Sequence, residues 1–236
     1  MIRSHRPAFV LVHGAWHDAG VWDSLRAALG REGARSLAVQ LPSDDVAIDA
    51  SGYARAIARA SRKLAPDGPV VVGHSMSGLA LPLVPALAPV RRLIFLAALV
   101  PAPGQRMTDV QAAEDVLGDT RAVARDELGR SYWTSIEAAI DVLYHDCDAG
   151  PAREIAGRLR PQARTPHEEP CPITKLPDVP ASYILMREDR MIRPEWSRMA
   201  ARKRLGVEPI ELRGGHSPML AQPEQLALRL IELDAL

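Results

Sequence analysis

The sequence predicts an α/β fold: a doubly wound, mostly parallel six-stranded sheet with helices on both faces and a helical lid inserted after the fourth strand. Three observations predict it. Short apolar runs rich in β-branched residues recur along the chain, as strands buried on both faces do. Between the early runs lie segments whose apolar residues return every three or four positions, and strand–helix alternation is the pattern that builds a parallel sheet. One long stretch, residues 101–180, breaks the alternation.

Taken in order, AFVLV (8–12) is the first expected strand, and VWDSLRAALGREG, with its glycine-containing exit, the first helix. RSLAVQL (35–41) follows, then the amphipathic YARAIARASRKLAPDG, stopped by Pro66-Asp67-Gly68. PVVVG (69–73) and RRLIFLAAL (91–99) are the third and fourth strands, with a helical run LALPLVPALA between them. In the interruption, DVQAAEDVLGDTRAVARDELG and YWTSIEAAIDVLYHD read as helices, and TPHEEPCPITKLPDVP as a proline-stiffened return; no strand is expected there. ASYILM (181–186) and VEPIEL (207–212) complete the sheet. The expectation is one domain, 1–236, with the lid at about 101–180.

Composition narrows the function classes. Hydrophobic residues at 47% supply a core, while Lys+Arg and Asp+Glu both number 29, so the chain as a whole lacks the basic excess that nucleic-acid or anionic-membrane binding uses. RLRPQAR is read as a solvated basic face. Cys147 and Cys171 are too few for a disulfide framework and lack paired zinc-site spacing. The opening MIRSHRPAFVLVHG is too short in apolar residues for a signal peptide, and no window approaches the ~20 apolar residues of a membrane span. The expected setting is reduced and cytoplasmic. The expected partner is a small-molecule substrate, with neither nucleic acid nor membrane; a homodimer stays open.

Gly73-His74-Ser75-Met76-Ser77-Gly78 follows a strand and precedes a predicted helix, the context of a nucleophile elbow, in which a strained serine needs small residues around it. The usual spacing is G-x-S-x-G; here Ser77 takes the last glycine's place and Gly78 comes one later. A serine hydroxyl needs a base and an orienting acid. His216, behind two glycines after the last strand, is the candidate base, and Asp189, just past the fifth strand, the candidate acid; Glu188 beside it is expected to face solvent, and Asp109 is the fallback. Developing negative charge on a substrate oxygen needs N–H donors. The backbones of Ala15 and Met76 are the candidates, with Gly14 expected to admit the substrate closely and Trp16 to stand in the pocket.

FVLVHGAWHDAGVWDSL, VVVGHSMSG followed by LIFLAALVPAPG, YILMREDRMI and GGHSPMLAQPEQLA together resemble the α/β-hydrolase superfamily, in the branch of plant methylesterases, hydroxynitrile lyases and bacterial esterase-like relatives. The likeness spans the first hundred residues and the last sixty and fades in the lid. It implies a Ser75–Asp189–His216 triad, main-chain oxyanion donors at Ala15 and Met76, and no cofactor. The lyases of this branch carry a threonine where this chain has Gly14 and a lysine where it has Ser217, so esterase chemistry is favoured. Asp18 departs from the glycine usual in that loop, and Trp133 resembles the tryptophan that roofs the branch's pocket. The expected activity is that of a serine hydrolase cleaving a small, largely apolar carboxylic ester through an acyl-enzyme, since no arginine is clearly placed to clamp an anion. The alternatives are a ligand-binding receptor on the same fold, or a lyase or C–C bond hydrolase.

Overall fold

The computed structural model describes residues 6–236; the basic opening of the chain, residues 1–5, lies outside the described residues. Strand β1 (Ala8–Val12) is buried along its whole length. A single 3-10 turn, Ala19–Trp22, then leads into helix α1 (Asp23–Arg31). β2 (Arg35–Val39) is an edge strand with only Val39 buried, and it ends two residues before the apolar run does. α2 (Ala50–Leu64) starts where the Asp49 carboxylate accepts the Gly52 N–H, and it buries Tyr53, Ile57 and Ala60 at helical spacing.

β3 (Val70–His74) runs straight into the turn at Ser75. The segment after it forms two 3-10 pieces, Ser75–Leu79 and Leu81–Ala86, in place of the expected helix. Pro82 and Pro85 each remove a backbone donor and so interrupt α-helical pairing. β4 (Arg92–Leu96) completes the first half of the sheet.

The inserted segment departs from an all-helical lid. It holds α3 (Met107–Ala113), a hairpin of β5 (Val123–Arg125) and β6 (Ser131–Trp133), then α4 (Ile136–Leu143), α5 (Ala149–Ala156) and the single turn α6 (Thr165–Glu168). The helical reading of 109–129 holds only through Ala113; beyond it Asp126 accepts the N–H groups of Leu128 and Arg130 at 3.0 and 2.9 Å while Gly129 takes φ +73°, a tight turn that reverses the chain. Paired main-chain bonds of 2.8 Å between Ser131 and Gln162 fasten the hairpin to the returning segment.

β7 (Ala181–Met186) occupies the residues expected of it. α7 (Pro194–Ala200) continues into a wider π-type turn, and β8 (Ile210–Leu212) is only three residues long, starting after Pro209, which has no N–H to give a ladder. α8 (Pro218–Ala221) and α9 (Pro223–Asp234) end the chain, with α9 packed on α1.

The six-stranded sheet has the order β2-β1-β3-β4-β7-β8 and is parallel throughout, in registers such as Phe9 opposite Val70, Val72 opposite Ile94 and Phe95 opposite Tyr183. Helices cover both faces. The chain leaves β1 toward one edge and returns on its other side with β3, so the crevice beyond the carboxyl ends of β1 and β3 is the place where such sheets bind ligands. The loops carrying Gly14 and Ser75 meet there.

Candidate functional site

Ser75 has φ +55°, the left-handed region that costs a non-glycine residue about 1–3 kcal/mol and is tolerated where the surroundings over-determine it. Those surroundings are visible. The Ser75 carbonyl accepts the Leu99 N–H at 3.0 Å, and the buried Ser77 hydroxyl contacts the carbonyls of Val12 and His74 at 3.0 and 2.9 Å. Serine at 77 therefore ties the turn to the end of β1, a job glycine there has no side chain to do. The glycine requirement moves to Gly78, where a Cβ would collide with the Leu99 carbonyl.

His216 and Asp189, 27 residues apart in sequence, lie 2.8 Å apart between Nδ1 and Oδ2, with both side chains buried. The other carboxylate oxygen of Asp189 accepts the N–H groups of Met191 and Ile192 at 2.8 and 3.0 Å. Those two bonds fix the direction of the carboxylate, which meets His216 at Nδ1 and leaves Nε2 to face the other way. Asp109, the fallback, is exposed in the first turn of α3. Glu188 is exposed but not idle: its carboxylate accepts the Gly214 N–H, and Asp146 accepts the next one, from Gly215, at 2.6 Å. Two carboxylates thus hold consecutive amides of the loop that presents His216.

Gly14 does not stand on the cavity wall as expected. A Cβ there would sit 2.7 Å from Ser75 Cβ and 3.0 Å from His74 Nδ1, so the missing side chain makes room for the turn itself. Ala15 and Met76 both line the cavity with Ser75, and among the described residues neither main-chain N–H has a protein acceptor.

Three more histidines pack behind the turn. His13 accepts the Leu41 N–H at Nε2 (3.1 Å), which leaves Nδ1–H to donate to the Gly14 carbonyl at 2.9 Å. His17 donates from Nδ1 to the Ala15 carbonyl (2.7 Å) and accepts from the Tyr144 hydroxyl (2.6 Å). His74 donates from Nε2 to the His216 carbonyl at 2.8 Å, its ring 4.6 Å from that of His216. Burial pushes His13 down to about 4, His17 to about 3 and His74 well below the usual histidine value, so all three are neutral scaffold for the loops.

The cavity above Ser75 measures about 230 Å³. Its wall includes Trp16, Leu99, Leu117, Met191 and Ile192, but also Arg125, Arg164 and His167, so two arginines stand at the site where the sequence placed none clearly to clamp an anion. Trp16 is present as expected, with its indole N–H directed at the Ser131 carbonyl and hydroxyl, 3.1 Å from each. Trp133 is not on this wall; it packs edge-on against Trp16, with ring centroids 5.5 Å apart, and lines a separate hollow with Tyr132 and Ile136.

Sequence reasoning passed over His74, Asp146 and the cavity's cations. His74 was visible only as a variable position between Gly73 and Ser75, and Asp146 lies in the lid, about 70 residues from the loop it holds. Nothing in local pattern links such partners.

A model of the alpha/beta hydrolase family matches residues 9–229. The chain is 25% identical to the alpha/beta hydrolase nvfD of Aspergillus novofumigatus, over 96% of this chain and 95% of that protein. It is 36% identical to the probable esterase PIR7A of Oryza sativa subsp. indica over 42% of this chain and 41% of that one. Among solved structures it is similar in fold to a pyrethroid hydrolase from Sphingobium faniae JZ-2 (TM-score 0.80, 20% identity, 98% of each chain covered). A similar likeness holds to the methylesterase MES16 from Arabidopsis (TM-score 0.77, 21% identity, 97% of this chain and 99% of that one). With a family model spanning nearly its whole length, on a parallel sheet of matching architecture, the chain belongs to the alpha/beta hydrolase family.

Proposed function

We propose that the protein is a serine hydrolase that cleaves a small carboxylic ester through an acyl-enzyme. The observation that carries this reading is the strained Ser75 on the wall of a partly enclosed cavity, next to a loop whose histidine is oriented by a buried carboxylate. In the proposed cycle the Ser75 hydroxyl oxygen attacks the ester carbonyl carbon and its proton passes to Nε2 of His216. Asp189 steadies the imidazolium without taking the proton. The carbonyl oxygen, now negative, receives the N–H groups of Ala15 and Met76. Collapse expels the alcohol, which leaves with the proton from His216. Water then repeats the sequence on the acyl-serine and frees the acid and Ser75.

The names of the fungal, rice, bacterial and plant relatives, all hydrolases or esterases, agree with this class. Ser217, which follows the base, is buried and finds no hydrogen-bond partner for its hydroxyl among the described residues, so the cation that would neutralise departing cyanide is missing at that position.

The test is turnover of p-nitrophenyl acetate and butyrate with parallel labelling by a fluorophosphonate probe. Wild type is expected to hydrolyse at least one ester and to label stoichiometrically at Ser75, and Ser75→Ala to do neither. Asp189→Asn is expected to lower kcat by about three to four orders of magnitude, as loss of the orienting acid does elsewhere. Inertness of wild type toward both esters and the probe would instead point to a ligand-binding protein on this scaffold.

A further inference from the structure

We infer that the ester this cavity takes carries a second, anionic group, a carboxylate held away from Ser75 by Arg125 and Arg164: the substrate class is a hemiester of a short dicarboxylic acid. The inference rests on the serine-hydrolase reading above for where the ester end lies. The rest of it stands on the cavity wall.

Two arginines line the cavity and no aspartate or glutamate does. Arg164 is answered by Glu168, so Arg125 is the charge this wall leaves over. Arg125 is exposed at the rim of this space, and among the described residues its guanidinium has neither an ion-pair nor a hydrogen-bond partner. Arg164 bonds Glu168 through Nε at 2.9 Å, and its two terminal nitrogens donate to nothing among the described residues. An unanswered fork on the wall of a partly enclosed space fits a planar carboxylate, which it can grip with two parallel bonds. His167 completes this end; burial pushes it down to about 4, so it is a neutral hydrogen-bonding group and not a third charge.

The fold puts Arg125 there by design of the hairpin. The Asp126–Arg130 turn reverses the chain, and the Ser131–Gln162 pair anchors β6, so β5 presents Arg125 and Val123 to the cavity from fixed backbone. Size sets the length of the ligand. A volume of about 230 Å³ is below the ~300–1,000 Å³ of sites for drug-sized molecules, which suits a chain of a few carbons between ester and acid, packed against Leu99, Leu117 and Ile192. Hydrolysis adds water across the ester bond to give the dicarboxylate and an alcohol.

The experiment compares mono(4-nitrophenyl) glutarate with 4-nitrophenyl butyrate, and in parallel measures glutarate binding to Ser75→Ala by calorimetry. Wild type is expected to prefer the hemiester by about tenfold or more in kcat/KM at low salt, with the preference shrinking as sodium chloride screens the charge. In Arg125→Gln and in the Arg125→Gln/Arg164→Gln pair the preference should fall by about tenfold, mainly through KM of the hemiester, and glutarate should bind Ser75→Ala but not Ser75→Ala/Arg125→Gln. Equal or better use of the neutral ester by wild type, or a preference that survives in the double variant, would overturn the inference. Arg125-dependent glutarate binding by a protein that cleaves neither ester would keep the anion site and discard the hydrolase reading. Cleavage of both esters with no role for either arginine would do the reverse.

Discussion

At the scale of single residues, the site is a set of exclusions as much as of contacts. Gly14 is the sharpest case, since the room it leaves is filled by Ser75 and His74 and not by substrate. Gly14→Ala should therefore shift the Ser75 turn without emptying the cavity. We expect a loss of about a hundredfold or more in kcat for p-nitrophenyl butyrate and slowed fluorophosphonate labelling, with far-UV circular dichroism retained; a misplacement of about 1 Å is enough for such a loss. Near-wild-type labelling in a folded Gly14→Ala protein would show that the crowding is relieved elsewhere. Ser77 is a second exclusion turned to use: in the position where a minimal residue is usual, its hydroxyl bridges two carbonyls and joins β3's turn to β1.

At the scale of elements, the loop 213–216 is held by other segments more than by itself. Gly214 has φ +110°, which a side chain would resist, and the amides of Gly214 and Gly215 point at Glu188 and Asp146. The first of these carboxylates sits beside Asp189 after β7 and the second follows α4 in the inserted segment, so two elements hold the loop of the proposed base. Removing either acceptor alone, as Glu188→Ala or Asp146→Ala, should cost a few-fold to about tenfold in kcat. The double variant should lose more than the product of the two, since each bond limits the same loop. Hydrogen exchange at the Gly214 and Gly215 amides should rise in step. Glu188→Gln keeps an acceptor oxygen and should cost far less than Asp189→Asn. Independent, strictly multiplicative losses with unchanged exchange would mean the loop is rigid without these bonds.

At the scale of the whole molecule, the buried histidines make the fold acid-sensitive. His13 and His17 are pushed down to about 4 and about 3, below the ~6.5 they regain when the chain unfolds, so the unfolded state takes up protons first as pH falls. Their contribution to stability is whole above about pH 6.5 and is lost progressively toward pH 4 and below. Each contributes a slope of up to about 1.4 kcal/mol per pH unit inside that window. His74, lowered for the same reason, adds to the slope. Urea midpoints measured between pH 7.5 and 4.5 should fall steeply below pH 6.5, and His17→Gln, where an amide can keep hydrogen bonds without a titrating ring, should flatten the decline. A midpoint constant across that range would contradict the burial of these rings.

The sequence by itself determined the parallel sheet and its polarity. The run at 181–186 became β7 residue for residue, and 8–12 became β1, because strands buried on both faces must be apolar throughout and advertise themselves locally. It also marked Ser75, His216 and Asp189 as residues to watch, since a turn after a strand has its own chemistry of small side chains. Helix-like periodicity misled after Ala113, where three-residue strands are too short to alternate and the turn at Asp126–Gly129 decided the outcome. Only the tertiary structure decided that Gly14 packs against Ser75 across 61 positions, that Trp133 lies against Trp16, that Asp146 reaches Gly215, and that Arg125 and Arg164 share one cavity wall. Each of these depends on which distant segments the sheet order and the hairpin bring together, and a pairing across that distance leaves no period in the chain for a reader to find.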